Sequence, residues 1–450
     1  MTSAAEQLAQ NINFSSFAKA EELKKRLLFT LGALIVYRLG TYVPLPGINA
    51  DAYAQNFQQQ TGGLLGTLNI FAGGAVERMA IFALNIMPYI SASIILQLMT
   101  AISPKLGELK KEGEHGRRQI NQYTRYLTVF LATLQGYFIA VNLQGQPGVI
   151  SNPGPFFLLT TVVTLVGGVM FLLWLGEQIT ARGVGNGVSL IIFAGIVAEL
   201  PRAIGGLFAL GRGAGPGGAS MPIGMVLLVG ALALVLIAFV VFIERSQRRI
   251  VVQYPRRQVG MKMTQGEKSH LPLKLNPSGV IPPIFASSLL LLPATAASAV
   301  GEGSPEWLQN LTIMFGPGRP MYVALYAALI IGFTFVYTSV VFNTEDVADN
   351  LKKYGGFIQG YRPGQRTAEY LDYVVTRLTV VGALYLTFVC ILPEILKMSS
   401  GQAIPVYIGG TSLLIVVSVT LDTVGQIQGH LIAQQYESLI KKSKLRGGRK

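Results

Sequence analysis

The chain has 450 residues, of which 51% are hydrophobic and 13% are charged, and its mean hydropathy is +0.47. Soluble domains carry roughly 25% charged residues, so this composition excludes an ordinary soluble protein and indicates a polytopic membrane protein. The single cysteine, Cys390, lies in an apolar run, which excludes a fold held by disulfides. The net charge is +14, and its distribution along the chain is more informative than its size.

The N-terminal 20 residues are polar, so we expect no cleavable signal peptide and a first apolar run that acts as a signal anchor. Ten apolar runs have the length of about 17 to 25 residues that a membrane-spanning helix needs. They are 27–43, 79–102, 124–143, 156–176, 188–208, 223–243, 279–300, 321–342, 374–393 and 406–427. The sequence therefore predicts an all-α polytopic membrane protein with ten transmembrane helices, of which the fifth is interrupted by Glu199 and Pro201.

A short apolar piece, residues 64–72, precedes the second run and is far too short to cross a bilayer. Gly73 and Gly74 then interrupt helical order, and Glu77 and Arg78 separate this piece from the long run. A short apolar helix that feeds a full span is typical of a re-entrant element shielded by other protein. An interfacial amphipathic helix before an ordinary span is the alternative interpretation.

Positive charge is concentrated on one side of the predicted membrane topology. The connectors on the side of the two termini are 1–26, 103–125, 177–187, 244–277, 343–373 and 428–450. These connectors hold 29 of the 36 Lys and Arg residues, whereas the opposite connectors hold five. Because Lys and Arg are retained on the cytoplasmic side, both termini are predicted to be cytoplasmic.

Two cytoplasmic connectors are unusually long. Residues 244–277 combine arginines with an alternating IVVQY stretch, which predicts a short hairpin. Residues 343–373 contain a turn sequence, Arg362-Pro363-Gly364, between polar flanks. Such loops are common docking sites for anionic partners, although solvated loops that follow the charge rule would look the same.

The sequence lacks the usual signatures of catalysis and cofactor binding. Its three histidines are far apart, it has no His/Cys/Asp/Glu cluster with metal-ligand spacing, and it has no phosphate-binding glycine loop. An intramembrane protease would need a base near Ser412, but His430 lies about 27 Å away along a helix. Asp422 is the best candidate for a coupling carboxylate in an ion-driven transporter, with a packing or interface contact as the alternative.

A passive conduit remains compatible with this composition. Ile86 and Ile90 lie four residues apart and therefore share one helical face. Isoleucines that face one another across a bundle would form a hydrophobic constriction that seals a pore without charge. Ordinary core packing is the alternative for both residues.

Several strings, spread collinearly over essentially the whole chain, resemble the bacterial SecY family of protein-conducting channels. They include RLGTYVPLPGI (38–48), MPYISASIILQL (87–98), KKEGEHGRRQINQYTRY (110–126), WLGEQITARGVGNG (174–187), ADNLKKYGGF (348–357), YRPGQRT (361–367) and GGTSLLI (409–415). Asn85 departs from the family pattern, which has a small residue before the first isoleucine of the pore.

The resemblance implies two pseudo-symmetric five-helix halves, 1–210 and 211–450, around an hourglass pore. The implied plug is the re-entrant helix at about 64–72, with Leu64, Leu65, Leu68, Ile70 and Phe71. The implied pore ring is Ile86, Ile90, Ile192, Ile284 and Ile415. The implied lateral gate lies near Ser91 and Leu292, and the implied contacts of the motor or ribosome are Arg256, Arg257 and Arg362.

The resemblance also implies a function. We expect a passive channel in the bacterial inner membrane that conducts unfolded secretory proteins and releases membrane segments sideways into the lipid bilayer. The expected partners are SecE, SecG, the SecA motor, the ribosome and preproteins, and neither enzymatic activity nor a cofactor is expected. An ion-coupled secondary transporter is the alternative.

Overall fold

The computed structural model describes residues 21–59, 64–146, 148–150, 152–212, 222–254, 258–259, 262–263, 268–300, 319–399 and 409–447. Side chains within these ranges are described except at 58–59, 64–65, 67–68, 111, 258–259, 262–263, 291–300, 397–399 and 435–447. The fold is predominantly α-helical, as the sequence predicts. The helices are α1 Glu21–Gly40, α2 Ala50–Gln59, α3 Leu64–Phe71, α4 Met87–Ile102, α5 Pro104–Lys111, α6 Glu114–Gln144, α7 Pro155–Arg182, α8 Gly187–Gly211, α9 Ile223–Arg245, α10 Ile281–Val300, α11 Pro320–Val341, α12 Thr344–Lys353, α13 Gln365–Ser399 and α14 Gly410–Gly447.

Seven helices in the described part of the chain, α6, α7, α8, α9, α11, α13 and α14, are long and apolar enough to cross a membrane. The count is eight if α4 and α5, which bend by 105° at Ser103, form one broken span. The predicted first span falls on α1, whose apolar stretch is bordered by the charged residues Lys24, Lys25, Arg26 and Arg38. The predicted seventh span falls on α10. The part of α10 whose side chains are described, Ile281–Leu290, is apolar but shorter than a span. The count of ten therefore stays a prediction.

The prediction that residues 79–102 form one helix is wrong. Residues 72–86 instead form consecutive turns, which we call the turn segment, and the helix begins at Met87. Met79 and Asn85 adopt φ values of 44° and 49°, which no right-handed helix contains. Pro88 lies in the first turn of α4, where a proline is tolerated because its missing N–H would have no helical acceptor.

The turn segment is tied to the chain that follows α1. The N–H of Leu45 donates to the carbonyl of Met79, and the N–H of Ile81 donates to the carbonyl of Val43, both at 3.0 Å. These bonds form an isolated antiparallel bridge between Pro44 and Ala80. A buried segment without regular structure must satisfy its backbone groups in this way, so it is fixed although it is not helical.

The predicted hairpin in residues 244–277 is confirmed. Strand β1 (Gln247–Gln253) pairs antiparallel with β4 (Lys268–Lys274), and a two-residue pair, β2 (Gln258–Val259) and β3 (Lys262–Met263), lies between them in sequence. Strand β5 (Phe357–Ile358) from the other long loop pairs with the end of β1. The buried face of this sheet packs against the first turns of α13, so both long loops form one unit at the same end of the molecule.

Candidate functional site

The C-terminal end of α3 is buried in the largest hydrophobic cluster. Helix α3 is eight residues long and is followed by Gly73 and Gly74, both with left-handed φ values, of 62° and 81°. A Cβ atom on Gly73 would lie 3.0 Å from the Cα of Gly195 in α8, and one on Gly74 would lie 2.5 Å from an Oε atom of Glu199. The glycine pair therefore permits both the turn and the close approach to α8.

Three successive carbonyl oxygens at this end each accept a hydrogen bond from a side chain elsewhere in the fold. The amide of Asn85 donates to Phe71, the hydroxyl of Tyr37 donates to Ala72, and the guanidinium of Arg38 donates to Gly73. The last carbonyls of a helix have no partner within the helix, so such donors stabilise its end. The positive charge of Arg38 also suits the negative end of the helix dipole.

An ion pair continues this polar contact. Asn69 of α3 is buried, its side-chain oxygen accepts from the backbone N–H of Glu77 at 2.9 Å, and its amide donates to the Glu77 carboxylate at 3.5 Å. Both carboxylate oxygens of Glu77 accept from Arg202 of α8, one of them at 2.7 Å. The carboxylate of Glu199 lies 4.0 Å from the same guanidinium. The end of α3 is thus connected to α8 by a chain of charged and polar groups.

All five isoleucines of the implied ring lie in the cluster that contains the end of α3. Four are buried and the fifth, Ile90, is partly buried and packs against them. They come from the turn segment and α4 (Ile86, Ile90), α8 (Ile192), α10 (Ile284) and α14 (Ile415). Of the implied plug residues, Ile70 and Phe71 belong to the same cluster. Leu64, Leu65 and Leu68 lie on the α3 backbone, and their side chains lie outside the described residues.

Helices α4 and α10, which carry the implied lateral gate, are in contact. Ser91 on α4 is buried, and the hydroxyl of Ser288 on α10 lies 3.8 Å from the sulfur of Met87. Leu292 lies on α10, and its side chain lies outside the described residues. A cavity beside the end of α3 is lined by residues from α3, α10, α11, α13 and α14. Its lining residues include Ile70, Phe71, Ser287, Tyr326, Cys390 and Thr411.

Arg362 lies exposed on the turn between β5 and α13. Its carbonyl accepts a hydrogen bond from the hydroxyl of Thr367 at 2.8 Å, and Gly364 adopts a φ of 109°. Tyr361 and Tyr370 stack with a centroid distance of 4.2 Å. The turn is therefore held on both sides while the arginine side chain is presented outward. Arg256 and Arg257 lie outside the described residues.

The residues considered for an ion-coupled transporter, an intramembrane protease or a metal site do not form such a site in the described part of the chain. Asp422 is exposed and lies 3.4 Å from Lys274 of β4, which is the interface contact that was the alternative to a coupling site. Ser412 and His430 lie on the single helix α14, and the Ser412 hydroxyl donates to the carbonyl of Gly409. Within the part of the chain that the structure describes, no group of three or more His, Cys, Asp or Glu could hold a metal ion.

Sequence reasoning missed the contacts at the end of α3. Asn85 stands out in the sequence only as a departure from the family pattern, and Glu77 only as a charge beside an apolar run. Arg202 directly follows Pro201, at the interruption of the fifth run. One signal was present: charged residues near the ends of apolar segments usually have partners. The pairing of Glu77 with Arg202 could not be read from the sequence, because the two residues are 125 positions apart.

The comparisons with known proteins agree with one another. A SecY family model matches residues 80–424. The protein translocase subunit SecY of Escherichia coli K12 is 53% identical over 430 residues, which cover 95% of this chain and 96% of that protein.

Solved structures show the same fold at much lower sequence identity. One is of a SecY protein whose plug domain stabilises the closed state of the translocation channel and maintains a membrane seal. It has a TM-score of 0.62 at 16% identity and covers 90% of this chain and 92% of that one. Another is Sec61 in the canine ribosome–channel complex from the endoplasmic reticulum, with a TM-score of 0.58 at 17% identity and the same coverage.

Proposed function

The chain belongs to the SecY family, and we propose from this membership and from its buried isoleucine cluster that it is the pore-forming subunit of a preprotein translocase. It is a multi-pass integral membrane protein and a channel subunit, not an enzyme. Its substrates would be unfolded secretory and membrane preproteins. Because it carries no nucleotide-binding motif, energy would come from the SecA motor or the translating ribosome.

The observation that carries this proposal is that five isoleucines from four parts of the chain belong to the hydrophobic cluster that contains the end of α3. A translocating polypeptide presents every kind of side chain, so its seal must deform around each one and bind none. Branched apolar side chains at a constriction meet this requirement and exclude ions by dewetting. We therefore assign Ile86, Ile90, Ile192, Ile284 and Ile415 to the pore ring and residues 64–72 to a plug that fills it at rest.

The lateral gate in this proposal is the contact between α4 and α10, near Ser91 and Leu292. The two halves that it separates would be residues 1–210 and 211–450. A hydrophobic substrate segment could leave through the gate because each Leu or Ile gains roughly 0.3 to 0.6 kcal/mol on entering the bilayer. SecE and SecG would be the neighbouring membrane subunits in the complex.

Both termini and the sheet formed by β4, β1 and β5 would face the bacterial cytoplasm. The excess of Lys and Arg in the connectors on that side supports this orientation. The motor or the ribosome would dock on this face, with Arg362 as an exposed contact and with Arg256 and Arg257 on the neighbouring loop. Arginine suits such a role because its guanidinium binds carboxylates and phosphates in a bidentate manner.

Site-specific cross-linking tests the pore assignment. A photoreactive residue at position 86 or 284 should cross-link to a stalled secretory chain. The matched control is Ile330, which is as buried as Ile86 but belongs to a second cluster, formed by α9, α10, α11, α13 and α14. Cross-links at 86 and 284 and none at 330 support the pore. Equal yields at all three positions, or none at 86 and 284, would contradict it.

A further inference from the structure

We propose that Asn69, Glu77 and Arg202 form a latch that holds the plug helix α3 in the closed pore, and that the strength of this latch sets how often the plug leaves. The proposal rests on the proposed function. It assigns positioning roles to three polar residues outside the isoleucine ring.

The first step is that the plug helix has little to hold it by itself. A helix of eight residues is too short to be stable alone, so its position depends on contacts with the surrounding fold. The apolar contacts of Ile70 and Phe71 are not directional and would tolerate a range of positions. Hydrogen bonds have strict geometry, so the polar contacts define one position.

The second step is that Asn69 couples the helix to a charged pair. The Asn69 side chain is 1% exposed and makes both of its hydrogen bonds to Glu77. If the plug moved, the hydrogen bond between the Glu77 backbone N–H and the side-chain oxygen of Asn69 would break. A buried polar group without a partner is costly, so the closed position is favoured as long as Glu77 stays in place.

The third step is that Arg202 keeps Glu77 in place. The bidentate contact fixes the plane of the carboxylate, and the side chain of Glu77 is only 10% exposed. Arg202 belongs to α8, the helix that also carries the ring residue Ile192. The latch therefore ties the plug to the wall of the pore and not to a separate loop.

The fourth step is that the latch can release. The side chain of Arg202 is 46% exposed, so water or a passing chain can reach the guanidinium. A fully buried pair would be hard to break without leaving an isolated charge, whereas a half-exposed one can exchange partners. We infer that the plug is held by a contact of moderate strength, which suits an element that must move in each cycle.

The test compares resting ion efflux from proteoliposomes that contain the full complex. Asn69→Leu removes hydrogen bonds that only the closed state makes, and Glu77→Gln weakens the contact with Arg202 that keeps their partner in place. Each should therefore raise the efflux roughly tenfold. Arg202→Lys should give a smaller rise, since lysine keeps the charge but loses the bidentate geometry. The matched control is Glu177→Gln, which weakens another Arg–Glu pair far from the plug in sequence. In that pair one guanidinium nitrogen of Arg125 donates to both carboxylate oxygens of Glu177, each at 2.7 Å.

A deletion background makes the test specific. In a protein that lacks residues 64–72, Glu77→Gln should add no further leak, because the latch acts only through the plug. If Glu77→Gln cannot be recovered as a monodisperse complex, Asn69→Leu carries the same comparison with the ion pair intact. The latch is overturned if Glu77→Gln or Asn69→Leu leaks no more than Glu177→Gln, or if Glu77→Gln adds its full increment without the plug.

Preprotein translocation in the same vesicles separates this proposal from the proposed function. Variants that leak but still translocate support the latch and the channel together. Variants that stay tight while translocation proceeds overturn the latch alone. If no preparation moves preprotein, including the unsubstituted one, the proposed function fails, and the leak comparison still decides whether the ion pair holds α3.

Discussion

Replacing Gly195 with alanine would place a methyl group against the end of α3, the proposed plug helix. A Cβ atom at Gly195 would lie 2.5 Å from the carbonyl oxygen of Phe71 and 2.9 Å from the hydroxyl of Tyr37. Both distances are too short for a carbon–oxygen contact. The plug end must therefore shift, and the hydrogen bond from Tyr37 to the plug must lengthen or break.

The expected magnitude follows from comparing the closed and open states. Alanine is better than glycine in a helix by about 1 kcal/mol, but α8 is helical in both states, so this gain cancels. The clash exists only when the plug is closed, and overpacking typically costs about 1 to 3 kcal/mol. At 1.4 kcal/mol per tenfold change, the open population should rise by roughly five- to 140-fold.

The assay is resting ion efflux from proteoliposomes, with Gly205→Ala as the matched control. Gly205 lies in the same helix, and a Cβ atom there would meet nothing within 4 Å. The control should leave the seal intact and raise the thermal stability slightly, because only the helix-propensity gain applies. Equal efflux from the two variants would refute the proposed position of the plug end against α8.

Four further predictions address other parts of the proposal. Deleting residues 64–72 should make resting vesicles permeable to ions, and a tight membrane would favour the interfacial-helix interpretation. Arg362→Glu should block motor-driven export while the protein still inserts, whereas Arg366→Glu, in the first turn of α13, should impair export less. Normal export by the Arg362→Glu variant would show that Arg362 is not a contact of the motor. Ile358→Ala should cost about 2 to 5 kcal/mol locally and expose loop 343–373 to limited proteolysis without a leak, because Ile358 is buried against α13. Asp422→Asn should leave export normal, because exposed ion pairs contribute only about 0 to 1 kcal/mol to stability. If the variant instead lost a solute-coupled proton flux, the transporter alternative would be supported.

Hydropathy and turn residues predicted the elements whose formation depends mainly on residues that are neighbours in sequence. An apolar run of 20 residues partitions into lipid whatever surrounds it, and so most predicted spans coincide with helices. The hairpin in residues 244–277 was visible because strand alternation is also a local pattern. Strand β5 was not visible, because two residues have no periodicity and pair only where β1 is already present.

The turn segment shows where hydropathy fails. Residues 79–86 are apolar enough to belong to a span, but hydropathy measures transfer to lipid and not backbone conformation. Their conformation depends on the bridge to Pro44 and on the left-handed backbone at Met79 and Asn85, which are both tertiary features. Pro88 was the one local sign that the helix would begin at Met87 and not eight residues earlier, at Met79.

The candidate pore uses apolar residues for sealing and polar residues for holding the plug. This difference explains which of its residues could be predicted from the sequence. The proposed ring must offer no specific contact, and its isoleucines look like ordinary core. Spacing pointed only to Ile86 and Ile90, and the family resemblance added the other three. Holding the plug requires specific contacts, and these come from residues distant in sequence, such as Arg38, Asn85 and Arg202. If the latch were placed within the ring, its charges would bind the passing chain and let ions through. Placing it at the end of the plug keeps the constriction apolar while the stability of the closed state can be tuned by single polar substitutions.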